Sequence, residues 1–308
     1  MNSKSATKPL SLAAMLAIGG LVLAGCGDTE TADTGGNGDG GGPISIGAVP
    51  GWTDQTGMAY LYEHVLEENG YDVTVETLGD NAPLFQAVAQ GDIDLFGSTW
   101  PERTHDVYWE EHQDSLEDLG TYYDDAKLFL AVPEYSEIQS IEDLPDHAEE
   151  LDGQIMGIEP GAGLSIITED EVMPHYGLDD DFELQLSSTS AMISDLENAI
   201  DNESEIVVTL WTPFWATTNY DVRELEDPDG VYGEPEGLHT LGREGFAEDF
   251  PEVATMIENF SLTDEQFGDL EDTMVNEFDD DDPAAVQAWV EENPEIVEEM
   301  SADLEGGS

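Results

Sequence analysis

Apolar residues recur along this chain with two periods, and the two are readily separated. Ile206 to Thr209 is a run of β-branched residues, which favours an extended strand. Pro213 can neither continue a strand ladder nor sit inside a helix, so a turn is expected where Trp211 and Trp215 project. Ile44 to Trp52 and Ile93 to Trp100 repeat the arrangement: an apolar run, then Gly or Pro, then Trp. Between them, Gly57 to Asn69 carries Met58, Leu61, Tyr62, Val65 and Leu66 at helical spacing and closes at Gly70. A strand is expected at Val73 to Leu78, a helix at Leu84 to Ala89 and a strand at Asp92 to Gly97. This β-α-β-α-β succession with short connections predicts a parallel sheet with helices on its faces.

The pattern continues with a helix at Thr104 to His112 and a strand at Leu128 to Pro133 leaving this first unit. A second α/β set begins at Ile155 to Ile158, followed by helices from about Ser165 and at Ala191 to Ile200, and then the strand that delivers Trp211. His239 to Leu241 reads as a strand running back, before helices at Pro251 to Phe260, Asp264 to Phe278 and Pro283 to Asn293. A lobe, a second lobe and a return give a two-lobed α/β design with two crossings and a cleft that can close on a small ligand. The expected boundaries are residues 44–131 plus 240–300 for the first lobe, 132–239 for the second and 301–308 for a tail.

The N-terminus changes the picture. Lys4 and Lys8 precede an apolar run from Leu10 to Ala24, at about 15 residues too short for a spanning helix, so 1–25 reads as a secretory signal peptide. Leu23-Ala-Gly-Cys26 resembles a lipobox, which makes Cys26 the lipid-modified first residue of the mature chain; ordinary cleavage with a free thiol is the alternative. Residues 26–43, rich in Gly, Asp and Thr, read as a flexible tether from a lipid anchor.

Charge is the other global fact: 6 Lys+Arg stand against 72 Asp+Glu, and removing Lys4 and Lys8 leaves four against 72, a net of −68. Self-repulsion on this scale is severe in dilute buffer and is largely screened at molar salt, where the Debye length is about 3 Å. The excess reads as adaptation to high salt and argues against nucleic-acid binding. Asp279 to Asp282 lacks the ligand spacing and glycine of a calcium loop and reads as a solvated acidic turn.

Candidate chemistry lies at the strand ends. Taken alone, Trp211 and Trp215 are better explained by core packing, and it is the repetition at three strand ends that changes the reading. Three convergent indoles, Trp52, Trp100 and Trp211, suit a quaternary ammonium, whose diffuse charge offers no N–H and is gripped mainly by cation–π contact. Pro160-Gly-Ala-Gly-Leu164 leads into a helix; Gly161 and Gly163 free the backbone to approach a ligand, and the helix start aims N–H groups at it. This is an anion site or a plain tight turn, and it matches neither a Walker loop nor a dinucleotide fingerprint.

With Gly51-Trp-Thr-Asp54, Trp100 with Thr104-His105, Gly157-Ile-Glu-Pro-Gly-Ala-Gly163 and Thr209-Leu-Trp-Thr-Pro-Phe-Trp215 together, the chain resembles the glycine betaine/proline betaine substrate-binding proteins of ABC importers, over about Ile44 to Met300. That resemblance implies a two-lobed, type II-like periplasmic-binding-protein fold, with the ligand in a cleft between lobes joined by a two-crossing hinge. It implies a cage of Trp52, Trp100 and Trp211 around a trimethylammonium group. The ligand carboxylate would be held by the Gly163 and Leu164 amides, assisted by His105, with Trp215 as packing support. It also implies an extracytoplasmic, lipid-anchored monomer that needs no cofactor and delivers its ligand to an importer's permease and ATPase. Leu210 and Phe214 depart from the family pattern of Gly and His, so a differently shaped wall behind Trp211 is expected.

Rival readings keep the class and change the ligand to choline, carnitine or ectoine, or change the class to an α/β enzyme. The second lacks a Gly-x-Ser-x-Gly elbow and a His-Glu-x-x-His helix, and of the six histidines only His105 falls in the expected cleft. A histidine near pKa 6.5 adds charge assistance only when protonated, so imidazolium would make binding strengthen on acidification; a neutral tautomer would leave it flat.

Overall fold

The computed structural model describes residues 42–278 and 281–304; Cys26 and the signal and tether regions lie outside them. The strands are β1 (Ile44–Ala48), β2 (Val73–Thr77), β3 (Leu95–Thr99), β4 (Leu116–Pro133), β5 (Gln154–Met156), β6 (Glu183–Gln185), β7 (Val208–Thr212), β8 (Val222–Glu224) and β9 (Glu236–Arg243). Their order is β2-β1-β3-β9-β4-β7-β5-β6, with β8 paired to β4. Parallel pairing joins β1 to β2 and β3, and β5 to β6 and β7, as short βα connections dictate.

β4 links the two halves. Its residues Leu116 to Ala126 pair with β9, whereas Lys127 to Ala131 pair with β7 and Ala131 to Pro133 with β8. Register shifts between Asp118 and Ala126 bend the strand enough to leave one sheet and enter the other. The chain crosses there and returns at the start of β9, which gives two lobes joined by two crossings. The first half of β4 is absent from the hydrophobic pattern because its bulges and the exposed Asp124 and Asp125 spoil the alternation.

Helix α1 (Thr53–Glu68) buries the expected Met58, Leu61, Tyr62, Val65 and Leu66. It starts four residues before Gly57, since its first turn is Thr53, Asp54, Gln55 and Thr56, polar residues that are nevertheless buried. Helix α2 (Asn81–Gln90) is capped by the Asp80 carboxylate, which accepts from Asn81 N at 2.8 Å, and α3 (Asp106–His112) starts just after His105. The helix expected at Asp264 to Phe278 is α-helical only over Asp264–Asp272 and passes into a π turn at Thr273–Glu277. A final helix, Pro294–Leu304, buries Ile296, Met300 and Leu304 on one face and runs past the expected end of the fold at Met300. Among the described residues no helix is long and apolar enough to cross a membrane.

Candidate functional site

The three indoles of the sequence pattern converge. Trp52, Trp100 and Trp211 are each about 5% exposed and line one pocket. Trp52 is the residue before the first turn of α1, and Trp100 directly follows β3. Trp211 lies within β7 rather than past its end, because the strand is Val208–Thr212 and not the Ile206 to Thr209 segment expected; Trp211 pairs with Leu128 of β4.

Each indole is held differently. Trp52 Nε1 donates to Thr189 Oγ1 at 2.9 Å and toward Glu159 Oε2 at 3.3 Å, both on the second lobe. Thr189 in turn donates its hydroxyl and its N–H to the Glu159 carboxylate, at 2.8 and 2.9 Å. Trp100 Nε1 donates to Asp54 Oδ2 at 3.3 Å, which also accepts from Ser98 Oγ at 2.7 Å. Burial pushes the Asp54 carboxyl up, and those two donors partly offset the shift. Trp211 stacks on Phe214 with ring centroids 3.9 Å apart and planes 21° from parallel, so the Phe that departs from the family pattern forms the wall behind it. Leu210 is fully buried in β7, and Trp215 lies outside the pocket, packed against Phe214 and Tyr220.

Across the pocket, Gly163–Ile167 opens a helix (α4) whose first N–H groups have no intrahelical acceptor, and Gly163 and Leu164 both line the cavity. The glycines of this turn, expected to admit a ligand, also admit the facing lobe. A Cβ on Gly163 would run into the Thr104 carbonyl, and one on Gly161 into the Asp80 carboxylate. Gly161 donates its N–H to Asp80 at 3.0 Å and accepts from Tyr108 Oη at 2.7 Å, so the first lobe grips this peptide from both sides. At the rim, Arg103 on the first lobe forks onto both oxygens of Glu171 on the second, at 2.9 and 2.8 Å.

His105 is buried against Phe85 and Tyr108 and lines the same pocket. Its Nδ1 accepts from Trp100 N at 3.1 Å, and its Nε2 lies 2.8 Å from Asn81 Nδ2. Burial pushes its pKa down to about 3. Desolvation therefore keeps the ring neutral near neutral pH in the empty site, which favours the neutral-tautomer expectation over imidazolium assistance. Just before it, Glu236 accepts from the Arg103 and Thr104 amides and the Thr104 hydroxyl, which fixes the turn that presents His105.

The cavity offers about 340 Å³ of empty space, its open mouth included, at the small end for ligand sites. Asp54, Gln55, Asn81, Thr104, Leu128, Ile158 and Ala162 also line it, and none of them was among the ligand-binding residues expected from sequence. Asp54 and Gln55 carried a usable signal, being two and three residues past Trp52 in the same opening turn. Asn81 carried none.

The sequence profile of the substrate-binding domain of ABC-type glycine betaine transport systems matches residues 42–292. The chain belongs to this family. It is the family that the tryptophan and glycine motifs resembled, and its members are transport binding proteins. Among curated relatives, the glycine betaine/carnitine transport binding protein GbuC of Listeria monocytogenes is 37% identical over 161 residues, which is 52% of this chain and 53% of that protein. The aligned stretch thus spans about half the length of that relative. Among solved structures, the glycine betaine/L-proline-binding protein ProX of Borrelia burgdorferi superposes with a TM-score of 0.79 at 30% identity, covering 85% of this chain and 99% of that one. Lactococcal OpuAC in its closed, glycine betaine-bound conformation gives 0.78 at 29% identity, covering 84% and 99%. A choline-binding protein of an ABC transporter, in complex with choline, gives 0.77 at 26% identity, covering 84% and 91%. The two-lobed fold of this chain is the fold of those structures.

Proposed function

We propose that this protein captures glycine betaine or a closely related quaternary ammonium zwitterion and delivers it to the permease and ATPase of an ABC importer, without turnover. The observation that carries the reading is one small pocket with three indoles on one side and a helix start beside a neutral histidine on the other. Trp52, Trp100 and Trp211 supply faces for the cation, each contributing about 0.5–2 kcal/mol, the upper end where water is excluded. Gly163 N–H, Leu164 N–H and His105 supply donors for the carboxylate. A ligand without net charge meets no repulsion from a chain at −68. The lobes divide within β4, after Ala126, and at the start of β9, a few residues before the expected boundaries at 131 and 239. The mature protein works as a monomer outside the cytoplasm, anchored through lipid on Cys26, and its acidic surface suits molar salt.

One observation favours a second ligand. The Asp54 carboxylate lines the pocket, and a carboxylate there suits choline, a net cation. Calorimetric titration with glycine betaine, proline betaine, carnitine, choline and ectoine at molar salt decides: betaines binding tightest support the zwitterion reading, and choline binding tightest replaces it.

A further inference from the structure

One wall of the pocket carries a string of hydrogen bonds that an indole cage alone does not require. Val49 N–H donates to Gln55 Oε1 at 2.8 Å, and Gln55 Nε2 faces Asn81 Oδ1 at 3.3 Å. Asn81 Nδ2 faces His105 Nε2 at 2.8 Å, and Trp100 N–H meets His105 Nδ1 at 3.1 Å. Both ends of the string are backbone N–H groups, which only donate. Val49 N–H requires the carbonyl of Gln55, whose NH₂ requires the carbonyl of Asn81, whose NH₂ requires an unprotonated Nε2. Trp100 N–H meanwhile requires an unprotonated Nδ1. A neutral imidazole has to carry one N–H. Turning either carboxamide over moves the mismatch along the string and never removes it, and a second ring proton adds another. The string is one acceptor short, and it is buried, with Gln55, Asn81 and His105 exposed by 1%, 0% and 3%.

We propose that this missing acceptor selects the ligand: Gln55 and Asn81 are positioning residues that hold His105 with an N–H which a carboxylate in the pocket satisfies. The inference rests on the zwitterion reading above. All three side chains line the pocket, so a carboxylate that moves in between Asn81 Nδ2 and His105 Nε2, which otherwise meet donor to donor, accepts from both and completes the string, whereas a tetramethylammonium ion, having no acceptor, leaves a buried donor unmet.

Asn81→Asp tests this by building the missing acceptor into the protein, since one carboxylate oxygen accepts from Gln55 and the other from His105 Nε2–H. The empty variant should melt about 2–5 °C above the parent, the opposite of what an added buried carboxylate does in general. Glycine betaine should bind it about 10- to 100-fold more weakly than it binds the parent, and tetramethylammonium within about 3-fold of the parent value. A variant that melts lower than the parent, or that binds betaine as tightly, overturns the proposal. Nitrogen NMR of the parent's imidazoles reads the string without mutation. The expected state is the Nε2–H tautomer of His105, with an Nε2 shift that moves on adding betaine and not on adding tetramethylammonium; an Nδ1–H tautomer overturns the proposal. A parent that binds no betaine would refute the proposed function, while the melting and tautomer readings would still report on the string by themselves.

Discussion

Trp52 does two things at once, and two substitutions separate them. Its ring is one face of the proposed cage, and its Nε1–H reaches from the first lobe to Thr189 and Glu159 on the second. Trp52→Ala removes both. The lost cation–π face and the lost burial together cost about 3 kcal/mol, or roughly 100-fold in Kd. Trp52→Phe keeps an aromatic face and removes only the donor. Thr189 still donates to Glu159, so no buried donor is orphaned, and the loss is about 1 kcal/mol, roughly 5-fold. Because the lost bond joins the lobes, that smaller loss should lie in a faster koff. Calorimetry gives Kd, and stopped-flow tryptophan fluorescence gives koff. The reasoning fails if Trp52→Phe equals the parent in both, because the interlobe bond would then contribute nothing, or if it equals Trp52→Ala, because the ring face would then contribute nothing.

Since burial keeps His105 neutral, betaine affinity should be flat between about pH 5.5 and 8 in titrations at those limits; strengthening on acidification would mean an imidazolium forms after all. Glu271 is fully buried, accepts from Thr53 Oγ1 at 2.6 Å, and is pushed by burial from 4.5 up to about 8. Its folded pKa lies above its unfolded one, so its contribution is fully present below about pH 4.5 and is lost as pH rises through about 8. Glu271→Gln should therefore gain stability relative to the parent as pH rises from about 5 to 8.5, on the order of a few kcal/mol, in denaturant melts at both ends of that range. At fixed pH, the melting temperature of the parent should climb between about 0.1 and 2 M salt as screening quiets the carboxylates; a flat profile would remove the high-salt reading of the composition.

The fold was legible where side-chain period and backbone agree. α1, the strands β1, β2, β3, β5 and β7 and the return at β9 follow from apolar spacing, whereas β6 and β8, three residues each, were not read. Trp52, Trp100 and Gly163 stood out only in combination, as tryptophans repeated after apolar runs and a glycine pair before a helix, since core packing or a tight turn explains each one singly. What could not be read were polar groups that the fold buries. Thr53 to Thr56 look like a solvated approach to α1 and are instead its interior first turn. Gln55 and Asn81 resemble any surface amides until β1, α2 and the Trp100 turn bring them within hydrogen-bond reach of Val49 and His105. The role of Gly161 and Gly163 was half legible: the need for a missing Cβ was evident, but the neighbour that requires it, the facing lobe, is a long-range contact.

A crystal structure of the complex with glycine betaine tests the site most directly. The account predicts the trimethylammonium nitrogen within about 6 Å of the ring centroids of Trp52, Trp100 and Trp211, and carboxylate oxygens about 3 Å from Gly163 N and Leu164 N with His105 alongside. An ammonium group seated away from the three indoles, or a carboxylate facing solvent with both amides unoccupied, would contradict it.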